Sequence, residues 1–159
     1  MEKLSSILWR ERELLESLLY RLELEQLVLS SGRTRWLARA AEDVEKILTA
    51  LRETEVLRAI ASDEAAAAVG LEHNTSLRAL AEAVDEPWQT ILLEHREAFT
   101  AITRDISALA ATNRELITVG YRAAREALLD LESDGIEGYG HDGSKVSAAA
   151  RSTFVDRSL

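Results

Sequence analysis

At 159 residues the chain is long enough to bury a continuous apolar core without staples, and its lack of cysteine excludes a disulfide framework and a thiolate metal site. Apolar residues make up 47% and charged residues 30%, with 5% aromatics and one proline, so strand formers are too scarce for a sheet and long helices are favoured. A formal charge of -9 repels phosphate backbones and anionic headgroups, which argues against nucleic acid and membrane partners.

The first element predicted spans about Glu2 to Leu29. Leu8, Leu15, Leu22 and Leu29 recur every seven residues, with Leu18 between them and Leu4, Ile7, Leu14 and Leu19 widening the stripe. Glu11 and Glu25 interrupt this heptad, and polar groups in such places weaken packing but fix register. Glu2, Arg10, Glu11 and Arg12 also break the apolar centre that a secretory signal needs, and no apolar run approaches membrane-spanning length. With the absent cysteines, this places the chain in the cytoplasm as an expectation.

Ser30-Ser31-Gly32 supplies turn chemistry, and Trp36, Leu37, Ala40, Val44, Ile47, Leu48, Leu51 and Val56 then restart the helical period, so the first two elements form a helical hairpin. The alanine-rich run from Ala59 to Ala68 continues the second helix until Gly70 and Glu72-His73-Asn74 interrupt it. Thr75 or Ser76 caps a brief helix carrying Leu77, Leu80, Ala81 and Val84. Asp85 and Glu86 precede Pro87, which is expected at the first position of a new helix.

From there Trp88, Leu92, His95, Phe99, Ile102, Ile106, Leu109, Asn113, Leu116, Gly120, Ala123 and Ala127 alternate four and three apart without a breaker. Carried to about Leu131, this helix spans roughly 45 residues and roughly 70 Å, so the first two helices must embrace much of it. Asn113 and Gly120 interrupt its seam, and Gly120 suggests a close approach of another segment or tolerance of bending. Around it the seam thins to alanines. The neighbours Leu116, Ile117, Tyr121, Leu128 and Leu131 then offer an apolar surface to a partner helix or to the chain's own second helix.

The fold class expected is all-α, an elongated antiparallel helical bundle or coiled coil with one very long C-terminal helix. Gly135, Gly138, Gly140 and Gly143 mark its exit, dividing the chain into a helical domain, 1–132, and a flexible glycine-containing tail, 133–159.

No residue pattern supports catalysis. Gly138-Tyr139-Gly140-His141-Asp142-Gly143 has dinucleotide-binding spacing but follows a helix where a strand is needed. Asp130, Glu132, Asp134 and Gly135 echo a calcium loop whose twelfth position is His141 instead of glutamate. A di-metal bundle needs Glu-x-x-His, whereas Leu92 precedes His95 and Gly70 precedes His73 at that spacing. His95 is expected as a core or rim residue. No nucleophile elbow or phosphate loop is present. The chain is therefore expected to be no enzyme and to carry neither cofactor nor metal.

Two stretches together resemble the actinobacterial branch of the FlgN family: LLESLLYRLELEQLVLSSGRTRWLARAAEDVEKIL near the start and LEHREAFTAITRDISALAATNRELITVGYRAAREAL in the long helix. Asn113-Arg114-Glu115-Leu116 and the Tyr-Gly-x-x-Gly pattern of Tyr139-Gly140-His141-Asp142-Gly143 are similar to the family in order and spacing. The resemblance implies a cytoplasmic type III flagellar export chaperone that binds the hook-filament junction proteins FlgK and FlgL and delivers them to the export gate. It further implies gate docking by a tail tyrosine, which Tyr139 matches by context, and cargo binding by helix-in-groove contact. The positions expected to bind cargo are Leu116, Ile117, Tyr121, Ala124, Leu128 and Leu131. The alternative is a coiled-coil adaptor or dimerisation module of another assembly, its uncovered seam closed in a homodimer.

Overall fold

The computed structural model describes the backbone of residues 1–137 and the side chains of residues 1–132. It is all-α. Helix α1 runs Glu2–Ser30, α2 Leu37–Ala68, α3 Leu77–Glu82 and α4 Trp88–Glu137, with a single 3₁₀ turn at Thr34–Trp36 between the first two. Two units are distinguished, Met1–Ile117 and one beginning at Thr118.

In the first unit each long helix buries the line that its heptad dictates. On α1 the fully buried residues are Leu4, Leu8, Glu11, Leu18, Leu22 and Glu25, alternating four and three apart with half-buried Leu15 filling the gap. On α2, Ala40, Val44, Ile47, Leu51, Thr54, Arg58, Ala61 and Ala65 form the matching line. Val56, expected on that line, lies off it and is exposed, because it falls two residues after Thr54 and so on another face of the helix. The turn that reverses the chain depends on Gly32, whose φ of +65° is left-handed backbone that favours glycine.

Two apolar clusters hold the unit together. Leu4 and Leu8 of α1 meet Ala61, Ala65 and Ala66 of α2, Leu80 and Ala81 of α3, and Leu92 of α4. Further along, Leu18 and Leu22 meet Leu51, with Val44, Ile47, Leu48, Ile106 and Leu109 packed around them. The pairings fix direction: along α1 its partners on α2 descend in number while those on α4 ascend, so α2 is antiparallel and α4 parallel to α1.

The short α3 makes the return connection possible. Ser76 caps it, its Oγ accepting from the Ala79 amide at 3.1 Å. Helix α4 opens at Trp88, one residue later than expected, and the Pro87 carbonyl accepts from the Ile91 amide at 3.2 Å. Glu86 serves the helix start, one carboxylate oxygen accepting from the Thr90 hydroxyl at 2.7 Å and the other from the Thr90 amide at 3.3 Å. Among the described residues no helix is long and apolar enough to cross a membrane.

Candidate functional site: polar layers and an exposed helix face

Between the two apolar clusters lies a polar layer. Glu11 is buried, and Arg58 of α2 places its Nε 3.2 Å from a Glu11 carboxylate oxygen. Burial raises the Glu11 carboxyl above its ordinary range. Arg58 opposes that rise, and Glu55 adds to it. His95 is buried on the α4 seam as a core residue, its ring edge-on to Trp9 at 4.7 Å and tilted over Phe99 at 5.8 Å. Neither ring nitrogen has a hydrogen-bond partner among the described residues. Burial, and then the Arg12 guanidinium, hold the imidazole below its ordinary pKa, with Glu94 acting weakly the other way. The neutral ring is thus favoured. No group of three or more His, Asp or Glu among the described residues is placed to hold a metal.

A second polar contact closes the far side of the Leu18–Leu22 cluster. Asn113 is buried, and its Nδ2 donates to the Leu22 carbonyl and to a Glu25 carboxylate oxygen, both at 2.9 Å. The two interruptions noticed in separate heptads are therefore partners, joining α1 and α4 at one level. A slip of either helix by one turn would break both bonds and leave a carboxylate buried without a donor.

The α4 line stays buried or half-buried as far as Leu116. Gly120, Ala123 and Ala127, expected to continue it inward, are exposed instead. A side chain at Gly120 would meet nothing within 4 Å among the described residues, so none of these makes the close approach expected there. In the second unit every side chain from Thr118 to Glu132 is exposed.

Of the positions expected to bind cargo, Leu116 is half-buried, while Ile117, Tyr121, Ala124, Leu128 and Leu131 are exposed. Tyr121, Leu128 and Leu131 are 68%, 63% and 69% accessible, values that leave most of each large apolar side chain in water. Ile117, Tyr121, Ala124, Leu128 and Leu131 again alternate four and three apart, one residue later than the buried line and hence about 100° round the helix. Tyr139 lies outside the described residues.

The family model for FlgN protein matches residues 1–147. No curated protein and no solved structure gives a match to the chain. A match over nearly the whole sequence, on a bundle of long helices, shows that the chain belongs to the FlgN family of flagellar export chaperones.

Proposed function

We propose that the exposed α4 line Ile117, Tyr121, Ala124, Leu128 and Leu131, with half-buried Leu116 at its edge, receives an amphipathic helix of the hook-filament junction proteins FlgK and FlgL in the cytoplasm, and that Tyr139 then engages the export gate. The domain assignment follows the same division of labour, with residues 1–132 as the chaperone domain and 133–159 as the tail that carries the gate contact. The observation that supports this best is a heptad-spaced row of large apolar side chains left in water. Such a row is costly to expose and is matched by a helix presenting apolar anchors at i, i+3, i+4 and i+7. Burying Tyr121, Leu128 and Leu131 under a cargo helix gains about 1.5–3 kcal/mol for each fully covered side chain.

Catalysis plays no part in this reading. The chaperone acts by covering a surface that the cargo would otherwise use prematurely, and by releasing it at the gate.

Co-expression with FlgK and with FlgL tests the reading. The wild-type chain is expected to co-elute with a junction protein, and Tyr121→Asp with Leu128→Asp to weaken that complex by at least about tenfold, as expected for loss of central anchors. Tyr139→Ala should leave co-elution intact while lowering secretion of the cargo. Cargo retained by the double variant would remove the α4 line from the mechanism. Co-elution with neither protein, together with self-association lost in the double variant, would favour the dimerisation module.

A further inference from the structure

The closed end of the α1–α2 hairpin holds an apolar groove of about 460 Å³ that belongs wholly to the first unit. Its floor is Leu24, Leu27 and Val28 from the last turns of α1, with Trp36 and Ala40 from the turn and the start of α2. Leu27 and Trp36 are 65% and 50% accessible, so the groove opens to solvent. Neither residue supports the hairpin core.

The rim has a charge opposite to that of the chain. Arg21, Arg33 and Arg39 border the groove, against Asp43 as the one carboxylate among its lining residues. Asp43 steers two of these guanidiniums, accepting from Arg21 Nη1 at 3.4 Å with Arg39 Nε at 3.6 Å. Arg33 forms no ion pair among the described residues. Arg35 adds a further positive charge beside the groove, its guanidinium 5.1 Å from the Trp36 ring centroid. The sequence explains the concentration: between Glu25 and Glu42 there is no carboxylate, while Arg33, Arg35 and Arg39 fall in that interval. In a chain of net charge -9 this is a local reversal of sign.

We infer that the groove docks an acidic amphipathic α-helix of a partner protein, with a bulky apolar side chain seated on Leu24, Leu27, Val28 and Trp36 and flanking carboxylates paired to Arg33 and Arg39. An apolar floor alone would accept any greasy segment, whereas guanidiniums at its edge select planar carboxylates and can bind them through two parallel hydrogen bonds. Charge argues against the chain's own residues beyond Glu137, which carry Lys145, Arg151 and Arg157 against Asp142 and Asp156. The surface differs from the α4 line, and the inference does not rest on the cargo reading.

Calorimetric titration of the full chain with two synthetic helical peptides is the test. Both carry leucine at heptad positions a and d; one has glutamate at e and g, the other lysine. Attraction to the whole chain favours the lysine peptide, so tighter binding of the glutamate peptide is expected only if the local field of the groove decides. Arg33→Glu with Arg39→Glu should weaken the glutamate peptide by at least about tenfold, Arg33→Lys with Arg39→Lys should weaken it by a smaller factor because the charge stays and the planar fork is lost, and Leu27→Ser should weaken it. Tyr121→Asp with Leu128→Asp should leave it unchanged. Circular dichroism of each variant establishes that the helices persist. The inference is overturned if the glutamate peptide does not bind, if charge reversal has no effect, or if the α4 variant abolishes binding. Self-association of the wild type that Leu27→Ser disperses would assign the groove to a second copy and overturn it equally.

Discussion

Asn113 shows how one side chain sets the register of a bundle. Replacing it with alanine removes both donors from Leu22 and Glu25 and leaves the buried Glu25 carboxylate without its Asn113 donor. The expected loss is about 1–3 kcal/mol of stability in urea denaturation. Asn113→Leu combined with Glu25→Leu should recover most of that loss, since matched apolar replacement of a buried polar pair is often neutral. His95 carries a prediction in pH. Its folded pKa lies below the ordinary value of 6.5, so its contribution is fully present above that value and is lost as the pH falls through it towards the lower folded value. Stability measured at successive pH values below neutrality should therefore fall further for the wild type than for His95→Leu. From sequence, Asn113, Glu11 and Glu25 were legible as interruptions of heptads, because each stands where a leucine belongs. That Asn113 meets Glu25 was not, since helical spacing says nothing about which residues of another helix lie at the same level.

At the scale of elements, apolar spacing located all four helices. The α1 line was legible for the most part, because leucines recur there at seven with others four and three apart between them. On α2 the apolar residues are spread more widely, and a period drawn through Val56 passes off the buried face. The 3₁₀ turn at Thr34–Trp36 was not visible, as nothing in Thr-Arg-Trp separates a tight first turn from the start of an α-helix. In α4 the heptad continues in sequence beyond the residues that are covered. Repetition of spacing therefore marked the helix but not its extent, since its 50 residues run to Glu137, past the end expected near Leu131, and spacing alone does not say which of its turns are covered. Of the candidate cargo positions beside the thinning seam, five are exposed and Leu116 is half-buried. The arginine-rimmed groove went unread, since Ser30-Ser31-Gly32 explained the turn and the missing carboxylates around it were a signal of absence. Gly120 provides a test at this scale. With open space around its Cα, Gly120→Ala should stabilise the helix locally by about 1 kcal/mol, the ordinary difference in helix propensity. Amide hydrogen exchange over residues 116–124 should slow accordingly.

For the molecule as a whole, the decisive arrangement is a pair of apolar clusters separated by Glu11, Arg58 and His95. One is built from two leucines of α1 and three alanines of α2 with α3 and Leu92, and the other from larger aliphatic side chains locked by Asn113. Hydrogen exchange is expected to resolve two groups of amides, those near Leu18, Leu22 and Leu51 protected more strongly than those near Leu4, Ala61 and Ala65. A single exchange class would show that the intervening polar layer does not divide the cooperativity.

The alanines in the first cluster have a consequence of their own. Ala61, Ala65 and Ala66 lose no rotamer freedom when they are covered, but each gives back little area. That end of the bundle is therefore inexpensive to order and easy to reopen, while the Asn113 end persists as a template from which the parted helices find their places again. Brief excursions of this kind would expose the connection through α3 first, making it the segment that a protease cuts before any other.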